Sequence, residues 1–454
     1  MIRCPNCGAD MRFDPHSQKL SCENCDSQLT VESQINNKAT AAEEYASQEE
    51  DSLNMTIFTC PQCGGELLSD DNTAATFCSF CGASILLESR VSQVKKPDLI
   101  IPFKMDRDDC SRAYQSMIKK AVFAPSSMKS QSQIDKFRAI YMPYWVYSYS
   151  QDGPVCVKGE QSRRMGDYVY TSHFRLDSYV NSQCDGIHFD SSSAFADRLS
   201  DSIAPYDLKN QKPFSSVYMS GYYADLGDVP SSVYEKEARD LAGEFNADQL
   251  LRDPEYMGYG IGRSEVKKAL NLEKNPDKQA FFPVWFLSSR NKSGDRVSYA
   301  VVNGQTGKIS ADIPIDPIKY LLASLALAIP LFIILNMLLT MTPSTLMIAN
   351  IVLALAMLLA SSFYMDKAYA VEIQVDNKVM APIGRKIPTL IKPAISAILQ
   401  LIIFFIDPVS DIIYYVGAII GMLLILLAFV DLLKQYNLQT TRPFPQFNKR
   451  GGDE

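Results

Sequence analysis

The sequence predicts a multidomain chain: two small zinc ribbons, a β-rich α+β domain whose weak repeat suggests an internal duplication, and a C-terminal four-helix transmembrane region. Three observations carry this. Eight cysteines in the first 81 residues form four C-x2-C pairs. Residues from about 139 to 314 alternate apolar and polar side chains between turn-forming residues. The last third holds four apolar stretches of about 20 residues, the length that crosses a bilayer core. At 454 residues several domains are expected, and a mean hydropathy near zero hides a polar front and an apolar end.

The cysteines read C-P-N-C-G (Cys4, Cys7), C-E-N-C-D (Cys22, Cys25), C-P-Q-C-G (Cys60, Cys63) and C-S-F-C-G (Cys78, Cys81). Each unit is C-x2-C, fourteen residues, C-x2-C, and it occurs twice. Four thiolates converging from two tight turns suit one tetrahedral ion, so two ions are expected, zinc by default, with rubredoxin-like iron sharing the ligand set. Disulfides and redox C-x-x-C motifs fit worse, because redox motifs are rarely tandem and equally spaced. The residue after the second cysteine of each pair needs positive φ, which Gly8, Gly64 and Gly82 supply and Asp26 tolerates. Each unit closes on itself, and no His lies between Cys22 and Cys81 to suggest a cross-braced arrangement. Metal-spaced cysteines point to a reducing compartment, and Cys110, Cys156 and Cys184 are left as idle or buried thiols. The opening MIRCPNCGAD has no apolar core, so no signal peptide is expected.

The expected order is ribbon 1 (1–28), an acidic flexible linker (29–55), ribbon 2 (56–89), the β-rich domain (90–316), the spans (317–434) and a tail (435–454). Residues 1–89 carry fourteen acids against four bases, a net −10, which disfavours DNA or RNA as a partner, since nucleic-acid binding is driven by phosphate neutralisation. Residues 90–140 carry eleven bases against five acids. That stretch is either a solvated helix face or a surface that docks the acidic ribbons or anionic headgroups. Ala113, Tyr114, Met117, Ile118, Ala121 and Val122 fall at helical spacing after Asp106 or Asp108 as cap.

In the β-rich domain, MPYWVYS (142–148) and FPVWFLS (282–288) share P-x-W and hold both tryptophans, Trp145 and Trp285. Turns are expected at 151–154 and 291–295, followed by strands 155–161 and 166–180, or 296–303 and 307–313. Helices are expected at 193–204 and 232–251. The second opens on a Ser232-x-x-Glu235 capping box, with Tyr234, Ala238, Leu241, Ala242 and Phe245 on one face.

The spans fall near 320–341, 345–364, 389–406 and 411–433. The loops 342–344 and 407–411 have no Lys or Arg, whereas 365–388 carries Lys367, Lys378, Arg385 and Lys386, and the tail Lys434, Arg442, Lys449 and Arg450. The positive-inside rule puts the N-terminal region, that loop and the tail in the cytoplasm, with the chain multi-pass in a bacterial inner membrane. Gly417-x-x-x-Gly421 marks a helix-packing face that could also support oligomers, and Asn336, Asn350 and Gln400 suit interhelical hydrogen bonds. No ionisable residue is expected mid-membrane.

The two C-P-x-C-G ribbons, the I-P-F-K stretch at 101–104, the P-x-W strand and the terminal spans together resemble a bacterial family of membrane-anchored proteins labelled "TFIIB-type zinc ribbon-containing". Some members look to be encoded beside a phage-shock protein A relative and an SPFH-domain protein. The resemblance therefore implies membrane stress or scaffolding, with such proteins as partners. The label itself carries over only the eight cysteines.

The expected function is a membrane-anchored cytoplasmic adaptor or scaffold that recruits protein partners to the bilayer. The alternatives are a membrane-tethered nucleic-acid regulator and an accessory subunit of a transporter or channel. No catalytic residue is expected. His16, His173 and His188 sit in no nucleophile or metalloprotease motif, His16 is expected to be solvated, and four-cysteine sites leave a metal no open position.

Overall fold

The two P-x-W strands lie side by side at the centre of the molecule. The computed structural model describes residues 2–35, 52–69, 78–82, 88–193, 195, 197–290, 296–338, 342–375 and 383–443. Within it Lys278–Arg290 runs antiparallel to Arg138–Met165, with Met142 opposite Phe282, Trp145 opposite Gln279 and Trp285 opposite Ala139. Side chains alternate along a strand, so this register puts both tryptophans on one face. Each indole holds a loop: Trp145 Nε1 donates to the Val229 carbonyl at 2.8 Å, and Trp285 Nε1 to that of Met105 at 3.0 Å.

Leu99–Ile100 and then Lys212–Pro213 extend the sheet beyond Lys278–Arg290. On the far side of Arg138–Met165 follow Tyr223–Ala224, Glu66–Ser69, Ser52–Thr59 and Glu88–Lys95. The strands of ribbon 2 therefore form one edge of the body's sheet. Ser52–Thr59 starts inside the stretch read as linker. It does so because Met55 and Ile57 are buried and the strand pairs with neighbours on both sides. The start of that linker is ordered as well, because Gln28–Thr30 is the third strand of ribbon 1 and residues 31–35 form a helical turn that buries Val31. Residues 36–51 lie outside the described residues, as does the turn expected at 291–295. Ribbon 1 keeps its own three-stranded sheet, Met11–Asp14, Lys19–Cys22 and Gln28–Thr30.

Two cores flank the central strands. Tyr141, Phe281, Trp285 and Leu287 pack with Phe103, Tyr114 and ribbon-1 residues Met11, Phe13 and Leu20. From the opposite face Ile140, Met142, Phe282, Val284 and Phe286 pack with Phe195 and ribbon-2 residues Phe58, Leu67 and Phe80. Apolar residues on both faces of the central strands let ribbon 1 sit on one side and the cysteine centre of ribbon 2 on the other, while ribbon-2 residues Met55, Ile57 and Leu68 face the ribbon-1 side.

Arg138–Met165 and Tyr168–Asp190 pair from Tyr144/Asp190 to Met165/Tyr168, with one bulge at Gly186 opposite Tyr147/Ser148, and form one long hairpin turning at Gly166 (φ 61°). The turn expected at 151–154 is absent: Gln151, Asp152, Gly153 and Pro154 pair with Ser182, Asn181, Val180 and Tyr179. Beyond Ser150 the strand has a neighbour on one side only, where a proline lacking an N–H is tolerated. The hairpin Arg296–Asn303/Ile309–Ala311 forms as expected, with Gly307 (φ 75°) in its turn.

Helix Arg107–Lys120 is capped by Asp106 in a reciprocal box with Asp109, and buries Cys110, Tyr114 and Ile118. The helix expected at 193–204 is shorter, Asp197–Ile203. The capping box at Ser232 does not form. Ser231–Val233 is a 3-10 turn, and Glu235–Arg252 begins after Tyr234 without a side-chain cap. That helix buries Ala238, Ala242, Gly243, Asn246, Ala247 and Leu250, whereas Leu241 and Phe245 are exposed. Its small residues allow close approach to the sheet, which hydropathy alone does not reveal.

Four helices follow: Pro317–Leu338, Pro343–Val375, Ile383–Ile406 and Asp411–Gln439. Three contain stretches long and apolar enough to cross a membrane, Pro343–Met365, Thr389–Ile406 and Asp411–Gln439. These three pack on one another. The described apolar part of the first, Pro317–Leu331, is shorter, and Leu321–Leu331 is exposed throughout. A Cβ on Gly421 would collide with the Gln400 side chain and one on Gly417 with Ile403, so the G-x-x-x-G face is a close helix contact. Asn350 Nδ2 donates to the Ala418 carbonyl, and Ser396 Oγ to that of Gly421. The Asn336 side chain lies outside the described residues. Lys392 and Asp431 form an ion pair near the ends of their apolar stretches rather than at the middle.

The body is tied to one end of the helices. Asn437 exchanges hydrogen bonds with Ile315 (2.8 and 2.9 Å), Arg296 binds the Leu438 carbonyl at 2.6 Å and Thr441 Oγ1 at 2.7 Å, and Arg442–Pro443 pairs with Arg296 and Val297. The segment after the last helix thus returns to the side from which the first departs.

Candidate metal centres

Each C-x2-C pair closes the same tight turn. The amides of Gly8, Asp26, Gly64 and Gly82 donate to the carbonyls of Cys4, Cys22, Cys60 and Cys78 at 2.7–2.9 Å. Their φ values are 74°, 56°, 75° and 71°, the left-handed region the sequence called for. The turns bring Cys4, Cys7, Cys22 and Cys25 into one group and Cys60, Cys63, Cys78 and Cys81 into another, with the sulfurs of each group within 4.8 Å of one another.

In the second group Cys60 and Cys81 Sγ are 3.8 Å apart, and Cys63 and Cys78 Sγ 3.7 Å. Zn–S bonds of about 2.3 Å at tetrahedral angles require sulfurs about 3.8 Å apart. The first group is slightly tighter, with Cys4–Cys25 and Cys7–Cys22 both at 3.4 Å. Both groups are able to hold a metal ion.

The thiols of the second centre drive one another apart in acidity. Hydrogen bonds from Cys63, Cys78 and Cys81 push Cys60 well below the ordinary thiol range, while Cys60 pushes Cys63 and Cys78 far above it. One negative charge is easily held and further ones repel, so four thiolates require a cation among them. In the first centre burial raises Cys4, but the amides of Asn6 and Cys7 and the sulfurs of Cys25 and Cys7 outweigh it, lowering it to about 6.

The centres differ in access. Cys7 and Cys25 are exposed, whereas all four cysteines of the second centre are buried. Arg290 Nη2 donates to Cys81 Sγ at 3.3 Å and to Gln62 Oε1 at 2.7 Å, Arg290 Nε to the Cys81 carbonyl at 2.5 Å, and Tyr299 Oη to the Phe80 carbonyl at 2.9 Å. These body residues, distant in sequence, carried no cysteine-like signal.

Ribbon 1 is seated on the body through its β-turn. The Phe13 amide donates to the Ser220 carbonyl at 3.0 Å, Tyr222 Oη to the Phe13 carbonyl at 3.1 Å and Gln18 Nε2 to the Phe103 carbonyl at 2.8 Å. Phe103, from the I-P-F-K stretch, stacks on Tyr222 at 4.6 Å. His16 is not simply solvated: its Nε2 lies 3.1 Å from Asp106 Oδ2 and 3.2 Å from Asp109 Oδ2. The contact therefore pairs a base of the ribbon with acids at the helix start. It has the opposite sign to one of the alternatives for that stretch, a basic surface docking an acidic ribbon. Of the leftover cysteines, Cys110 and Cys184 are buried and Cys156 is exposed.

No protein-family profile and no solved structure matches this chain. The chain is similar to a Bacillus subtilis (strain 168) protein described as "Uncharacterized protein YdjG", 27% identical over 319 residues that cover 69% of this chain and 90% of that protein.

Proposed function

We propose that the chain is a membrane-anchored scaffold of the bacterial inner membrane, facing the cytoplasm, in which two zinc ions fix the ribbons, with their cysteine centres on opposite faces, to a rigid body that recruits protein partners. The observation that carries this reading is the long hairpin. Its outer part exposes Met165, Tyr168, Val169 and Tyr170, with Arg163 and Arg164 opposite Tyr170 and Val169. Exposed aromatic clusters next to arginine suit a protein contact better than solvent. The ribbons, by contrast, spend their apolar side chains on the body, so they act as structural wings. Partners of the SPFH or phage-shock class follow from the family resemblance. The register of the P-x-W strands supports an origin by internal duplication.

Four crossings are supported by the return of Arg442–Pro443 to the body's sheet, since an even number ends where it began. The basic residues of 365–388 and the tail favour that side as cytoplasmic. Cysteines placed at 343 or 409 should react with an impermeant reagent added outside, and those at 380 or 445 should not; labelling at 380 would reverse the topology. A photo-crosslinking residue at Tyr170 should yield a discrete protein adduct in membranes, absent when it replaces Lys236. Equal adducts at both positions would reject the hairpin as the recruiting surface.

A further inference from the structure

A cleft of about 660 Å³ opens where the body meets the helices. Its volume lies within the range of small-molecule sites, roughly 300–1,000 Å³. Its lining combines apolar Ile315, Ile318 and Leu438 with the bases Arg290, Arg296 and Lys434; Lys434 and Leu438 are neighbours on one helix face. Asp316 is the one acid in the lining among the described residues, and its carboxylate is engaged in capping helix Pro317–Leu338 through the amides of Ile318 and Lys319.

The cleft lies at the first turn of that helix and the last turns of Asp411–Gln439, which is the level of the headgroups if these helices cross a bilayer. Lys434 and Arg296 come from separate segments and converge on it, Arg296 while also donating to the Leu438 carbonyl and Thr441 Oγ1, whereas Arg290 is committed to Cys81; the apolar lining runs on into exposed Leu321, Leu322 and Leu325. A phosphate beside the bases would leave its acyl chains along those side chains. We infer that the cleft between Lys434, Arg296 and Ile318 binds the headgroup of an anionic phospholipid. The shared chemistry, a phosphate anion, could also come from free phosphate, but the apolar lining favours the lipid. The inference rests on the membrane placement proposed above.

Full-length protein in nanodiscs of phosphatidylcholine doped with phosphatidylglycerol, released and weighed by native mass spectrometry, tests this. Phosphatidylglycerol should be retained above its bulk fraction. Lys434→Ala should cut that retention about tenfold, the loss of one charged hydrogen bond. Leu438→Trp, which fills part of the cleft, should lower retention as well. Two metal ions per chain and an unchanged melting temperature would show that each variant is folded. Retention at the bulk ratio, or a Lys434→Ala variant that retains as much as wild type, would overturn the inference. So would displacement of the bound anion by inorganic phosphate with no effect of Leu438→Trp, which would assign the site to free phosphate. A protein that does not enter nanodiscs at all would instead refute the membrane placement.

Discussion

The guanidinium of Arg290 lies against Cys81 Sγ, 209 residues away in sequence, with Nη2 at 3.3 Å. A metal held by four thiolates carries net negative charge, and Arg290 compensates it from the central strand of the body. A hydrogen bond to a charged group contributes about 1.5–3 kcal/mol. Arg290→Met should therefore release the second metal to a chelator roughly ten- to a hundredfold faster and leave the first unaffected. Equal release from both centres would mean that the contact does not support the metal.

Exposure should order the loss of metal. Elemental analysis is expected to find two zinc ions per chain. A chromogenic chelator should take the ion of Cys4, Cys7, Cys22 and Cys25 first, because Cys7 and Cys25 face solvent and the other centre is enclosed. A single kinetic phase for two ions would contradict this, and one ion, or iron, would refute the zinc assignment.

Phe13 anchors ribbon 1. Its side chain is 2% exposed and meets the ring of Tyr218 edge-on at 5.4 Å. Phe13→Ala should cost about 3–5 kcal/mol of seating energy. The measurable result is rapid proteolysis within residues 2–35 while the second centre keeps its metal. Unchanged proteolysis would show that the ribbon is held elsewhere.

Acid should loosen the same seat. Burial raises the Asp106 carboxyl, but the Asp109 amide and His16 outweigh it and hold it below the usual range. Asp14 is lowered likewise, its Ser17 and His16 hydrogen bonds outweighing burial. A carboxylate depressed on folding adds stability above its unfolded pKa of about 3.9 and loses it as pH falls through the folded value. Protection of the Phe13 amide, its exchange relative to the intrinsic rate at the same pH, should fall below about pH 4, and less so in Asp106→Asn. Acid loss of metal is common to both proteins, so an identical acid step in the variant would remove Asp106 from the account.

What the sequence by itself determined is local. Ligand spacing, the left-handed residue after each pair, the cap at Asp106 and the apolar runs of the last third each depend on a few neighbouring residues. Their physics is complete within one turn or one helix. Where local signals misled, a distant partner decided: Pro154 stays in a strand because Tyr179 pairs with it, and helix Glu235–Arg252 buries alanines rather than Leu241 and Phe245. The register of Trp145 against Gln279, the placing of the two cysteine centres on opposite faces, His16 against two carboxylates and Arg290 against Cys81 all join segments tens to hundreds of residues apart. Such contacts leave no periodicity to read, because burial of both faces of the central strands selects them only when the whole chain is folded.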